Sequence, residues 1–463
     1  MPLSKAVTQL DWRFPPGGSE TVAVASAVPL DSGALTVCPA CDMILATGPV
    51  EVPVGSRLIC PRCRNTIRES KKDPVRRTLA LSLTGLILFL PAHFLILMTF
   101  KVFGMQDQGS VFDSIRILFR QDYIFVAFLV LLTGMIFPLL RLALLFLVSL
   151  DLYRQRLSRL TPFMLRWYHH LEEWGMSEVY LIAILVAVTK MHHSTLIIYD
   201  KGFFCFIGLV AVMIGTTLVL DEHAFWERIE ALAAQKKQRS PAAPAGPPPD
   251  RVSPRQTAMA AGLVQCRTCH KVLPFRPPPP GQEARCPRCG GRLHQRRPQS
   301  LAITWALVLS AIIFFLPANL MPIMKVEFLG VPKSSTIMDG ITYFFQSGSF
   351  GIGLIILTAS ILVPLFKIIG LLLLLLSIRC RRLNWLTHKA VLFRFIEFIG
   401  RWSMLDVFVV SLLCALADFG FFTTIKTAAG VTFFSFVVLS TMFATISFDP
   451  RLLWDAALSN LNP

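Results

Sequence analysis

The chain repeats itself in register across two unlike kinds of segment, and that repetition limits what it can fold into more than any other feature. Cys38-Pro39-Ala40-Cys41 and Cys60-Pro61-Arg62-Cys63 return as Cys266-Arg267-Thr268-Cys269 and Cys286-Pro287-Arg288-Cys289, displaced by 228 and 226 positions. Phe89-Leu90-Pro91-Ala92 returns as Phe315-Leu316-Pro317-Ala318, and Pro138 with Arg141 returns as Pro364 with Lys367, both at 226. Trp174-Gly175-Met176 returns as Trp402-Ser403-Met404 at 228. A register held over cysteine pairs and apolar runs alike marks a duplication, so one module has to explain both halves. The positions where the copies differ then become informative.

The repeated unit is mostly a membrane segment. Only 16% of the 463 residues are charged and 54% are hydrophobic, against roughly 25% charged in soluble domains. Eight apolar stretches are long enough, about 20 residues each, to cross a bilayer as helices. They fall near 78–98, 123–149, 178–198 and 203–220, and again near 301–323, 350–377, 402–419 and 430–448. The net charge of +17 is placed in loops: Arg154, Arg156, Arg159 and Arg166 follow the second stretch, and Arg379, Arg381, Arg382, Lys389, Arg394 and Arg401 stand in the matching loop. Basic loops belong on the cytoplasmic side, which accounts for the charge without nucleic acid. Both termini, both cysteine modules and both basic loops are therefore expected in the cytoplasm, and four spans per half give parallel rather than inverted repeats. The loops at 150–175 and 378–401 interleave aromatic and charged residues at helical spacing, as in an amphipathic helix at the interface. The N-terminus has no basic region followed by an apolar core, so a cleaved signal peptide is not expected.

Each cysteine module has the spacing of a structural zinc site. The pairs Cys38/Cys41 with Cys60/Cys63 and Cys266/Cys269 with Cys286/Cys289 are separated by 18 and 16 residues, within the range for two thiolate knuckles closing on one tetrahedral ion. Four thiolates leave no open coordination position, so two structural Zn2+ ions per chain are expected and no catalytic metal. His270 and His294 are read as surface residues. No Walker motif occurs, and no scaffold for a redox-active Cys-x-x-Cys; the chain is not expected to be an enzyme.

Ionisable groups inside apolar stretches are the candidates for function, because each is costly there unless paired or hydrated. In the second half these are Lys367, after Pro364, and Asp406. Ser360 lies seven residues before Lys367, two helical turns away, and Ser403 and Thr441 join them if the helices pack together. Lys367 either snorkels to the interface or sits inside, and Asp406 either caps a helix or belongs to a polar cluster. The first half carries Arg141 and Glu178 at these positions. Arginine does not give up its proton whereas a buried lysine can, so any proton route is expected in the second half. Pro91, Pro138, Pro317 and Pro364 are expected to kink four spans in matching places.

These residues resemble a known family. Gly400-Arg401-Trp402-Ser403-Met404-Leu405-Asp406-Val407-Phe408, Phe315-Leu316-Pro317-Ala318-Asn319 and the tail Asp449-Pro450-Arg451-Leu452-Leu453-Trp454-Asp455 look like the paraquat-inducible protein A (PqiA) family, including its LetA (YebS) branch. The resemblance covers nearly all of the chain beyond its first 35 residues or so. It implies an α-helical polytopic protein of the bacterial inner membrane, with two tandem four-helix transmembrane modules of tetraspan, claudin-like kind. Each is preceded by a cytoplasmic zinc ribbon, and small extracytoplasmic strands are implied in 99–122 and 325–349. It further implies lipid transport between inner and outer membranes with an MCE-family periplasmic tunnel partner of PqiB or LetB kind. The family's polar network maps onto Ser360, Lys367, Ser403, Asp406 and Thr441. The alternative is a non-transporting scaffold that anchors the tunnel partner.

The expected organisation is a flexible terminus (1–36), a first zinc ribbon (37–75) and a first transmembrane module (76–230). A Pro-rich linker (231–262), a second ribbon (263–298), a second transmembrane module (299–456) and a short tail (457–463) follow.

Overall fold

A computed structural model describes residues 35–46, 53–102, 105–191, 196–237, 257–279, 282–328, 331–348, 350–380, 385–416 and 423–458. Two short hairpins, β1 (Leu35–Val37) with β2 (Ile44–Ala46) and β3 (Arg57–Ile59) with β4 (Thr66–Glu69), precede the long helix α1 (Pro74–Phe94). Strands β5 (Met98–Val102) and β6 (Met105–Gly109) and helix α2 (Val111–Arg120) follow. Helix α3 (Ile124–Leu131) passes through a π-helical turn (Leu132–Ile136) into α4 (Phe137–Tyr153). Helices α5 (Thr161–Glu172) and α6 (Ser177–Met191), strand β7 (Leu196–Tyr199), and helices α7 (Lys201–Val219) and α8 (Glu222–Lys237) complete the half.

The second half opens on β8 (Leu263–Gln265) and β9 (Val272–Pro274), followed by α9 (Ser300–Leu320), β10 (Met324–Phe328), β11 (Val331–Ser335) and α10 (Ile337–Gln346). Helix α11 (Phe350–Leu357), a second π turn (Thr358–Leu362) and α12 (Val363–Arg379) come next. Then follow α13 (Leu386–Gly400), α14 (Leu405–Leu416), β12 (Thr423–Thr427), α15 (Ala429–Ser447) and α16 (Leu452–Leu458). From α1 to α7 and from α9 to α15 the element order recurs in the register that the sequence predicts.

Local chemistry explains the recurrence. Ser110 and Thr336 each accept a hydrogen bond from the amide three residues on, and Asp113 and Asp339 return the bond to the cap amide, so α2 and α10 start on matching capping boxes. Pro138 and Pro364 cannot donate to the carbonyls of Gly134 and Ser360, four residues back, and their rings crowd those carbonyls. Both helices widen into a π turn there instead of breaking. The expected kink is thus a bulge at these two prolines, whereas Pro91 and Pro317 lie inside continuous α1 and α9.

Two three-stranded antiparallel sheets, ordered β6-β5-β7 and β11-β10-β12, cap one end of the molecule. Met98 pairs with both Gly109 and Tyr199, and Met324 with both Ser335 and Thr427. The strand after α1 therefore lies beside the strand before α7, and the same holds for α9 and α15. Strands β7 and β12 were not expected from the sequence; β7 takes the end of the third apolar stretch of the first half, and β12 lies between the third and fourth stretches of the second.

Among the described residues, six helices are long and apolar enough to cross a membrane. The third helix of each half is shorter: α6 has 15 residues and α14 has 12, about 22 and 18 Å at 1.5 Å per residue. The buried and exposed faces are inverted relative to a soluble protein. Helix α1 buries Thr78, Ser82 and Gly85 and exposes Leu83, Ile87 and Leu90, and α9 buries Thr304 and Ala311 and exposes Ile313, Leu316 and Leu320. Small residues inside and large apolar ones outside are what lipid-solvated helices require. Helix α8 continues to Lys237, into the stretch expected as linker; residues 238–256 lie outside the described residues.

The halves differ in how tightly they close. Helix α1 packs closely on both α4 and α7, whereas α9 packs closely on α15 and only lightly on α12. Where α1 meets α4, the His93 ring sits 3.2 Å from the Gly134 carbonyl freed by Pro138. The matching Asn319 turns its amide to its own helix, donating to Phe315 O, so the corresponding clasp in the second half is not made.

The hairpin modules at the other end bind their own halves, as in Arg68–Glu227 and Arg267–Asp449, and also reach into the opposite ones. The core of the second hairpin module is continuous with Leu145, Leu152, Tyr168, Phe225 and Trp226 of the first half. That of the first joins the main core, and there Arg62 lies 4.3 Å over the Trp454 ring of α16 and Arg394 of α13 donates to Cys63 O and Arg64 O at 2.9 Å. Asp42 binds the two modules and the tail together: it accepts from Arg296 at 2.9 Å and lies 3.7 Å from Arg451. Arg451 and Arg267 in turn hold Asp449. Burial pushes the Asp449 carboxyl up, but these cations outweigh it and hold it at about 2.

Candidate metal centres and a buried lysine

Each cysteine pair forms the same knuckle. The amides of Asp42, Arg64, His270 and Gly290 donate to the carbonyls of Cys38, Cys60, Cys266 and Cys286 at 2.8–2.9 Å. All four of these residues are left-handed, with φ between 55° and 70°. Only Gly290 advertises that conformation in the sequence, which is why the other three knuckle ends are not legible there.

The knuckles bring Cys38, Cys41, Cys60 and Cys63 into one buried cluster, and Cys266, Cys269, Cys286 and Cys289 into another. Sulfur–sulfur distances are 3.4 and 3.6 Å in the first and 3.5 Å in the second. A tetrahedral ion with metal–sulfur bonds of about 2.3 Å needs edges of roughly 3.8 Å, and a disulfide needs about 2.05 Å. The donor sets fit a metal ion and exclude a bond between the sulfurs. The expected grouping of all eight cysteines is what the structure shows. His294 is exposed, as expected, but His270 is not a free surface residue: its ring stacks on His223 of α8 at 5.0 Å.

Of the five polar positions named from the sequence, the structure joins two. Lys367 is fully buried, so it does not snorkel. Its ammonium reaches Ser403 Oγ at 3.4 Å and the Gly400 carbonyl at 3.5 Å. Asp406 lies in the first turn of α14. Thr441 is buried in α15 and donates to Val438 O. Ser360 is buried inside the π turn with no hydrogen-bond partner for its hydroxyl among the described residues. That turn widens the helix, so the seven-residue spacing does not by itself set Ser360 and Lys367 on one face.

Arg141, at the position of Lys367, is surrounded differently. It donates to Thr217 Oγ1 at 3.1 Å and Tyr168 Oη at 3.4 Å, and lies 3.8 Å from the Glu172 carboxylate. At a shift of 228 these three partners correspond to Thr445, Ile396 and Gly400. Sequence reasoning missed the substitution of Glu172 by Gly400, which the register could have revealed. It also missed a cavity of about 410 Å³ between α5, α13 and α15, lined by His169, Glu172, Glu173, Glu397, Gly400 and Thr445 among others.

Outward apolar faces on helices long enough to cross a bilayer define a multi-pass membrane protein, which here carries a buried lysine and paired four-cysteine clusters. The family model of paraquat-inducible protein A matches residues 75–230 and again 301–457, the two halves from α1 and α9 onward. The chain therefore belongs to the paraquat-inducible protein A family. It is 31% identical to the intermembrane transport protein PqiA of Escherichia coli K12 over 421 residues, 90% of this chain and 95% of that protein. It is also 31% identical to the lipophilic envelope-spanning tunnel protein A of the same organism over 419 residues, 90% of this chain and 91% of the relative. A probable intermembrane transport protein of Haemophilus influenzae is 25% identical over 422 residues, 90% of this chain and 95% of that protein. No solved structure gave a significant match.

Proposed function

We propose that the protein moves phospholipids between the inner and outer membranes as an inner-membrane component, in company with an MCE-family tunnel protein in the periplasm. The intermembrane transport named for its relatives supports this reading. The second half is the working half, and the observation that carries this is Lys367: a fully buried ammonium that among the described residues reaches only a hydroxyl and a carbonyl. A lysine in such surroundings can trade its proton at modest cost, and movement of that proton, with Asp406 as a second site, is coupled to opening of the loosely closed α9–α12 side.

In this reading α6 with β7 and α14 with β12 complete eight crossings. The cysteine modules, both termini and the basic loops face the cytoplasm, and the sheets face the periplasm and the partner. Each cysteine cluster holds one structural Zn2+, which fastens the knuckles and takes no part in transport.

Lys367→Met and Asp406→Asn should each abolish lipid transfer in a reconstituted two-membrane assay while leaving folding and co-purification of the tunnel partner unchanged. Normal transfer by both variants sinks the coupling. Harmless membrane substitutions combined with loss of the complex on altering β6 or β11 make the chain a scaffold instead.

A further inference from the structure

The cavity between α5, α13 and α15 stops at Gly400. Behind that residue lies the ammonium of Lys367, 3.5 Å from the Gly400 carbonyl and 4.0 Å from where a side chain at 400 would begin. One glycine thus separates a roomy space, walled by both apolar and titratable side chains, from a fully buried lysine. At about 410 Å³ the space holds roughly a dozen waters at about 30 Å³ each. Titratable groups line it from both halves: His169 and Glu172 from α5, Glu173 just after it, and Arg394 and Glu397 from α13. The corresponding place in the first half is occupied, because Glu172 stands where Gly400 stands and reaches Arg141. The second copy has lost the side chain that would plug it.

We propose that this cavity is a hydrated vestibule through which protons pass between the cysteine-module side and Lys367, with Glu173 and Glu397 as carriers on its walls. A proton taken from water by a carboxylate is handed through the cavity water to the Lys367 amine beside Gly400, and leaves by the reverse steps. The inference rests on the proton-linked reading of Lys367, and it assigns a role to the first half, which supplies three of the ten lining residues.

Chemical access tests it without reference to transport. In a chain with Cys205 and Cys414 replaced by Ala, the exposed Cys380 at the end of α12 reports which side of a vesicle faces the reagent. Lys367→Cys and, separately, Thr445→Cys are treated with the membrane-impermeant thiol reagent methanethiosulfonate ethyltrimethylammonium in vesicles of each orientation, and labelling is mapped by peptide mass. Both positions should label from the side that labels Cys380, at least 10-fold faster than from the other, and adding Gly400→Val should slow Lys367→Cys about 10-fold while sparing Thr445→Cys. Labelling of Lys367→Cys from the opposite side overturns the vestibule. So does labelling of Thr445→Cys alone, or of neither, or indifference to Gly400→Val. If access is as expected but Lys367→Met transports normally, the vestibule stands and the proton-coupled reading falls.

Discussion

Arg141 and Lys367 occupy the same place in two copies of one fold, and nearly every difference between the halves follows from their surroundings. Arg141 is held by a tyrosine, a threonine and a carboxylate, which fixes its charge. At Lys367 those partners have become isoleucine, a threonine whose hydroxyl turns to its own helix (Thr445 donates to Thr441 O), and glycine. The same contrast recurs near the sheets, where His93 meets Gly134 in the first half and Asn319 turns inward in the second. A duplicated membrane module can thus keep one copy as a sealed support and leave the other open. The cost is a buried charge with neutral neighbours, which a protein retains where the charge is used.

The largest effect that would test this comparison comes from the cysteine clusters. Binding of a structural metal contributes on the order of 10 kcal/mol to the fold it closes, so Cys60→Ser or Cys286→Ser should lower the bound metal from two ions per chain to one, read by elemental analysis. Because each module also packs on the opposite half, the loosening should extend there. Cys60→Ser is expected to raise hydrogen exchange in α13 and α16, and Cys286→Ser in α5 and α8. Loosening confined to each module's own half rules out this packing across halves and leaves two independent tandem units.

Next in size is a pair of changes with opposite signs. Arg141→Met leaves Glu172 facing an apolar group, and removing one partner of a buried pair costs about 3 kcal/mol at the low end of the range, given the partial exposure of Glu172. Lys367→Met replaces a desolvated ammonium with an apolar chain of similar length and should leave the detergent Tm unchanged or raised. A Tm that falls equally in both variants removes the distinction between a structural and a working cation.

One feature should not distinguish the halves. The first turns of α7 and α15 rest on the preceding crossover, where a Cβ on Gly202 would lie 2.5 Å from Ile96 O and one on Gly430 would lie 2.6 Å from Pro322 O. Backbone cannot yield as a side chain can, so Gly202→Ala and Gly430→Ala should each cost roughly 1–3 kcal/mol, measured as matching falls in Tm. A large difference between them would show that the open half is also softer at the sheet end.

Much of this was legible because the duplication supplies an internal alignment. It located the apolar runs, the four knuckles and the Arg141/Lys367 exchange, and the thiolate spacing named all eight cluster residues. Strand β7 was hidden since it takes the end of an apolar stretch whose composition reads as helix, and β12 since Thr423-Thr424-Ile425-Lys426-Thr427 is a short run between two such stretches; only pairing with β5 and β10 decides the matter. The α5–α13 cavity escaped because it is made by an absence, a glycine where the sister copy has glutamate, and because its walls come from residues more than 200 positions apart. Packing of the cysteine modules across the halves was equally invisible: Asp42, Arg296 and Arg451 carry no pattern until the fold assembles them.

The smallest effect concerns pH and belongs to the first half alone. His169 of α5 faces Glu222 of α8 at 3.6 Å, with Glu172 and Glu173 of its own helix close by, and the Glu222 carboxylate raises the imidazole to about 9 against the opposing effect of burial. Since the folded value lies above the ordinary 6.5, the link contributes its full stability below about pH 6.5 and loses it as pH rises through 9. His169 is 38% exposed, so the contribution is screened and modest. The matching positions in the second half, Glu397 and Pro450, cannot form such a pair. His169→Gln should therefore lower Tm by a few degrees at pH 6 and by nothing measurable at pH 9.5, whereas Glu397→Gln should show no such convergence. Equal pH dependence in both variants would mean that the α5–α8 lock is not what keeps the first half closed.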